Sequence, residues 1–146
     1  MSSRHTDTVF KISPSGGITW RLGGAQSDFE ADFTFARQHH ARILSTNSTY
    51  TVISLFDNAK AEDSEEAAAP SSRGMIVALD TSVRPMTAAL LSEYGHPDGD
   101  GAYTLGRGSM QILSDGNVFN CWVNGCLHSE HTSDGIIVME ARVEQE

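Results

Sequence analysis

Several features are scarce in this chain, and each scarcity removes a class of function. Basic residues are few: 10 against 19 acidic ones in 146 residues, a formal charge of −9. That balance opposes attraction to nucleic acid or to anionic membrane surfaces. No apolar run approaches the roughly 20 residues that a membrane helix needs. Residues 1–11 have neither an apolar core nor a cleavage signature, so no targeting segment is expected and the compartment is left open. Only two cysteines occur, Cys121 and Cys126, on either side of an expected turn at residues 123–125. They suit a bridge across a hairpin in an oxidising compartment, or equally two reduced, buried thiols. Nucleotide-binding glycine loops are missing. Gly16-Gly17 and Gly23-Gly24 neither keep the dinucleotide spacing nor open a helix, and residues 99–108 lack the Lys-Ser/Thr ending of a phosphate loop. Kinases, ATPases and nicotinamide enzymes are disfavoured, and no cofactor is expected.

Helical periodicity is scarce too. Apolar residues come in short bursts with β-branched and aromatic content, and Gly, Asn, Asp or Ser clusters separate them about every eight to twelve residues. The chain therefore reads as all-β. Asp115-Gly116-Asn117, Asp134-Gly135 and Ser15-Gly16-Gly17 supply the positive-φ positions that tight hairpins demand. Residues 9–22, 75–91 and 128–142 share one plan, a strand, a turn and a second strand. Aligning Ile12, Asp80 and His131 gives spacings of 68 and 51 residues, and the excess lies in an acidic insert at 59–72. Without the insert the period is about 50 residues, that of four-stranded propeller blades. Further strands at 42–44, 50–56, 110–113 and 118–123 complete each unit.

The expected fold is a partial β-propeller of four-stranded antiparallel blades, about two and a half of them, in one incomplete domain over 1–146. A half blade and its connection occupy 7–35, one blade occupies 36–97, and another occupies 98–146. Closed propellers need four to eight blades, so this stretch cannot close a ring, and open faces invite self-association. The insert, ended by Pro70 and its serines, is expected to be a poorly ordered loop, and the tail at 140–146 a solvated end. Trp20, Leu90, Met139, Phe119 and Trp122 are read as packing between blades.

At this point a family resemblance becomes legible. Residues 18–24 (ITWRLGG), Ser27-Asp28-Phe29, Phe35, Gln38-His39, Ala41-Arg42 and 53–58 (ISLFDN) resemble the fungal and bacterial arylsulfotransferase propeller family. Ser72-Arg73-Gly74, Glu93-Tyr94, His96-Pro97, Gly108-Ser109, Gln111, Leu113, Gly116-Asn117 and Trp122 continue the likeness in order, over about residues 8–143. The family stretch Trp-Gln-His-Asp-Ala-Arg is Arg37-Gln38-His39-His40-Ala41-Arg42 here, so the aromatic residue and the acid are replaced. The resemblance implies transfer of a sulfuryl group from a phenolic sulfate ester to a phenol, through a channel histidine and without a nucleotide sulfate donor. The partners so implied are small phenols and aryl sulfate esters. A non-catalytic binding or scaffold module is the alternative, since propellers host many functions.

Chemistry ranks the candidate residues. His39 is the expected nucleophile, because neutral imidazole can attack sulfur and leave again. Arg42 would clamp sulfate oxygens with its planar fork, provided the strand starts irregularly, since residues three apart in a regular strand face opposite sides. His96 precedes Pro97 in a loop, where it would either act as general acid or base for a phenol or simply be solvated. Arg107, Ser109 and Gln111 would donate hydrogen bonds to an anion. Exchange of the family's acid for His40 removes one group able to fix the His39 tautomer. Asp57-Asn58 suits either a loop cap or a ligand contact. Cys121, Cys126, His128 and His131 hold four zinc-type donors, but the spacing disfavours tetrahedral convergence, so no metal is expected.

Overall fold

A computed structural model describes residues 1–143. The final residues of the acidic tail, 144–146, which the sequence reading places in a solvated end, lie outside the described residues. The described residues contain strands, two single 3₁₀ turns and no α-helix. The strands are β1 (Ser2–Ser3), β2 (Thr8–Ile12), β3 (Ile18–Leu22), β4 (Phe29–Ala31), β5 (His39–Thr46) and β6 (Tyr50–Asp57). They continue as β7 (Arg73–Asp80), β8 (Met86–Gly95), β9 (Ser109–Ile112), β10 (Val118–Trp122), β11 (Leu127–His131) and β12 (Ile137–Arg142). The all-β reading is met, and every stretch expected as a strand contains one.

The hairpin turns explain the strand spacing. Gly16, Gly116 and Gly135 stand at φ +86°, +90° and +90°, a region that side chains with a Cβ enter at a cost. At each the same two backbone bonds close the loop: Ser13 N–H to Gly17 O at 2.8 Å, Leu113 N–H to Asn117 O at 2.8 Å, and Thr132 N–H to Ile136 O at 2.8 Å. The returning bonds run from Gly16, Gly116 and Gly135 back to Ser13, Leu113 and Thr132. A different device joins β5 to β6, where Asn47 Oδ1 accepts the N–H groups of Thr49 and Tyr50 at 2.9 and 2.7 Å.

Three sheets result, in the orders β1-β2-β3, β4-β8-β7-β6-β5 and β12-β11-β10-β9. The middle sheet is covered on both faces, because β6 and β7 carry nearly continuous β-branched and apolar residues. On one face Ile53, Leu55, Met75, Val77 and Leu79 pack with Val9, Trp20 and Leu22 of the first sheet. On the other face Phe56 meets Trp122 and Leu127, and Ile76 lies against Tyr94, Met110 and Val118. Alternation along β6 sends Leu55 and Phe56 to opposite neighbours.

Two details depart from simple four-stranded blades. The middle sheet has a fifth strand, since β4 adds parallel to β8 with Phe29 opposite Met86. Its cause is local: Asp28 Oδ2 accepts the Arg21 N–H at 2.7 Å, and Phe29 stands edge-on to Trp20 at 5.5 Å. The expected half blade also gains β1, which pairs with β2. Trp122 is buried between sheets, but Phe119, three residues earlier, faces the other way and stacks on His128 at 5.6 Å. The acidic insert is not a loose loop. A bridge joins Lys60 to Ala67, Ala68 N–H donates to Ala59 O at 2.7 Å, and Ala59, Ala61 and Ala69 are buried while the glutamates face solvent. Small apolar side chains at those positions anchor a segment whose overall polarity argued against packing.

Trp122 touches Phe56 at 5.2 Å and His96 at 4.7 Å, so it is the keystone between two sheets. Trp122→Ala is expected to lower unfolding free energy by about 3–5 kcal/mol in denaturant titration. Val138→Ala, at a position 53% exposed, should change it by less than about 0.5 kcal/mol.

Candidate functional site

Backbone strain locates the site before any side chain does. Six non-glycine residues have positive φ among the described residues: Asp7, Arg37, His40, Ala59, Arg107 and Cys126. All but Cys126 surround the start of β5 and the loop at 104–108. Asp7 Oδ1 accepts the Arg37 N–H at 2.6 Å, and Ala59 N–H donates to Ala36 O at 3.1 Å. Such conformations cost on the order of 1–3 kcal/mol each and persist where surrounding structure enforces them, often at functional sites.

At the centre is Asn58, fully buried at the end of β6. Its Nδ2 donates to Thr104 O at 2.5 Å and to Arg107 O at 2.9 Å. Both amide protons being committed, Oδ1 is the acceptor, and it lies 2.7 Å from His39 Nδ1. His39 therefore carries its proton on Nδ1, which leaves the lone pair on Nε2. His40, at φ +52°, turns the other way, and its Nδ1 lies 2.9 Å from Met110 O. A carbonyl only accepts, so His40 is fixed in the same tautomer. Asn58 thus supplies the orientation that the missing acid beside His39 would have given. The sequence signal for it was weak, an Asp-Asn pair ending an apolar strand.

Asp57 braces the same corner from below. Its carboxylate is fully buried and accepts from Ala36 N–H at 2.9 Å, Ala59 N–H at 2.8 Å and Arg73 Nε at 3.1 Å. Burial pushes its pKa up to about 6, against the opposing pull of those donors and of the Arg73 charge. Arg73 continues the network to Glu93 at 2.6 Å and Thr34 O at 2.8 Å. Gln38, next to His39, is buried and spends Nε2 on Ser2 Oγ, Ser3 O and Thr8 O at 3.0, 3.2 and 3.0 Å.

The other expected residues fall into two groups. Arg107 is exposed at φ +61°, with its carbonyl bound to Asn58, so its backbone belongs to the site. Ser109 begins β9 opposite Cys121, and Gln111 is exposed opposite Phe119. Beyond Arg107, Gly108 is at φ +94°, and a Cβ there would lie 2.4 Å from the Phe56 ring. Arg42 is exposed, and among the described residues its side chain bonds only the Ala41 carbonyl, at 3.3 Å. The irregular strand start that it required does exist: His39 pairs with Phe56 and Arg42 with Ser54, so His40 and Ala41, two residues, face the single Leu55. His96 is not a solvated loop residue. It is buried against Trp122, its Nδ1 accepts the Asp98 N–H at 3.2 Å, and burial lowers its pKa. Between His96 and His39 stand Trp122 and Phe56. Cys121 and Cys126 are not disulfide-bonded, and no group of metal-binding side chains gathers among the described residues. Arg4 and His5, which the sequence reading passed over, arrive from the chain's start, where Arg4 Nη2 donates to Leu105 O at 2.9 Å.

Packed β-sheets that hold two histidines in fixed tautomers at one corner define the class: an all-β protein with an oriented histidine site. The sequence model of arylsulfotransferase (ASST) matches residues 1–144, and the chain belongs to that family. Comparison with curated proteins and with solved structures returns no match.

The Asp57 corner has a pH signature. Because burial raises the folded-state pKa above the unfolded one, the folded protein holds this proton more tightly. The group's contribution is full below about pH 4 and is lost as pH rises to about 6. Relative to Asp57→Asn, the parent chain should lose on the order of 2–3 kcal/mol of stability over that window. Unfolding curves of both proteins between pH 4 and 7 read the difference.

Proposed function

We propose that the chain catalyses sulfuryl transfer from an aryl sulfate ester to a phenol through a covalent intermediate on His39, and that its sheets are consecutive blades of an incomplete propeller. Family membership supports the activity class. The carrying observation is the 2.7 Å contact between Asn58 Oδ1 and His39 Nδ1, which leaves Nε2 as the nucleophilic atom. Two covered faces of the middle sheet and the packing of one sheet on the next support the blade arrangement.

In the first step the Nε2 lone pair attacks sulfur, the N–S bond forms, and the S–O bond to the aryl group breaks with its electron pair leaving on the phenolate. Solvent takes the departing phenolate; His96, packed behind Trp122 and Phe56, plays no part in this step. The ring now carries positive charge with its Nδ1 proton still on Asn58 Oδ1, and the amide dipole opposes that charge favourably. In the second step an acceptor phenol gives up its proton to solvent as its oxygen attacks sulfur. The N–S bond then breaks and its electron pair returns to Nε2. Arg42, Arg107, Ser109 and Gln111 are the groups proposed to hold the sulfuryl oxygens, where charge-assisted hydrogen bonds strengthen as charge builds.

Incubation with a nitrophenyl sulfate should release nitrophenolate and add one SO₃ group to His39, seen by mass spectrometry of acid-avoiding digests. His39→Ala should lose the adduct and at least about 10²-fold of the turnover. Undiminished nitrophenolate release by His39→Ala would remove the histidine from the mechanism.

A further inference from the structure

Beside the His39 corner lies a cleft of about 360 Å³ lined by Arg4, His5, Arg37, Ala61, Glu62 and Asp63. Its volume falls within the range of ligand sites, about 300–1,000 Å³. The lining carries both signs of charge, Arg4 and Arg37 together with Glu62 and Asp63 of the insert. Arg37 Nη1 lies 3.1 Å from His5 Nδ1, and because guanidinium only donates, Nδ1 accepts and His5 keeps its proton on Nε2. Arg4 holds Leu105 O through Nη2, while its Nε is buried with no partner. Among the described residues neither guanidinium has a carboxylate within 4.0 Å; the same holds for Arg42, Arg84 and Arg107, whereas Arg21, Arg73 and Arg142 are ion-paired, but Arg4 and Arg37 are the two that line one cleft. The Asp7 carboxylate is engaged by the Arg37 backbone N–H.

In a chain with 19 acids and 10 bases, two half-buried guanidiniums lining one cleft without a paired carboxylate leave donors able to take an anion. The exposed Glu62 and Asp63 of the same lining do not supply it, since neither reaches them. A monoanion alone would feel those two acids, and a cation alone would feel the arginines. A ligand carrying both charges satisfies both.

We propose that this cleft binds the α-amino acid head group of a phenolic substrate, carboxylate toward Arg4, His5 and Arg37 and ammonium toward Glu62 and Asp63. The assigned acceptor class is tyrosine-like. Its role in catalysis rests on the sulfuryl transfer proposed above, but binding does not. The cleft adjoins that site through the 104–107 loop, which bonds Arg4 at Leu105 and Asn58 at Thr104 and Arg107.

Titration of the full chain, followed by backbone NMR shifts and without any sulfate donor, separates this from the transfer chemistry. L-Tyrosine, 3-(4-hydroxyphenyl)propanoate and tyramine are the probes. Tyrosine should bind at least about tenfold more tightly than either singly charged analogue, the equivalent of 1.4 kcal/mol. Arg37→Ala, which leaves the Arg4 bond to Leu105 in place, should weaken tyrosine and the propanoate but not tyramine. The double variant Glu62→Gln, Asp63→Asn should weaken tyrosine and tyramine but not the propanoate. Equal affinities for the three probes, or variants that do not alter them, overturn the assignment even if sulfuryl transfer is observed.

Discussion

The architecture of the functional corner depends on one buried amide. Asn58 joins the end of β6 to three separate pieces of chain: β5 through His39, the loop before β9 through the carbonyls of Thr104 and Arg107, and the end of the insert through Ser72, whose Oγ donates to the Asn58 carbonyl at 2.9 Å. Ser72 Oγ in turn accepts the Thr104 N–H at 2.8 Å. A buried polar side chain costs stability unless its groups are paired. Here both Nδ2 protons and Oδ1 are used, so removal of the amide would orphan two backbone carbonyls and a histidine together.

That saturation makes a strained backbone tenable. Arg37, His40, Ala59 and Arg107 adopt the left-handed region although none is glycine, and each makes a hydrogen bond there, that of His40 to Met110 O. Arg37 is held by Asp7, Ala59 by Asp57 and Ala36, and Arg107 by Asn58. The consequence for chemistry is preorganisation. His39 reaches its tautomer and orientation through groups that are fixed before any ligand arrives, so little reorganisation remains at the moment of reaction.

The strands were legible because two local signals coincide, short apolar bursts and glycines able to take positive φ at Gly16, Gly116 and Gly135. Those signals act within five residues. The fifth strand of the middle sheet was not legible, since Phe29 joins β8 through a packing contact with Trp20 and a register set by Met86, far along the chain. The insert was misread for a related reason: its composition is polar on average, but three alanines decide its packing. At the site, His39 was legible as chemistry and Asn58 only as an ambiguity, because its partners lie 19, 46 and 49 residues away. Arg4 gave no signal, since its bond to Leu105 spans 101 residues. Burial reversed the reading of His96, where loop sequence suggested solvent and Trp122 supplies a cover.

Charge distribution completes the argument. A net charge of −9 would by itself repel a sulfate ester, and average composition gives no hint of anion chemistry. The distribution differs from the average: Glu65, Glu66 and the acids of the hairpin turns face solvent, Glu62 and Asp63 line the cleft with Arg4 and Arg37 without pairing to them, and Arg107 stands in the loop that Arg4 bonds. Exposed charges act over roughly a Debye length, about 8 Å at physiological salt, so the distant acids weaken the site's field only slightly. Nearby guanidiniums act at hydrogen-bond range and dominate it. An acidic protein can therefore place several arginines around one corner, where the local arrangement of charge differs from the sign of the whole.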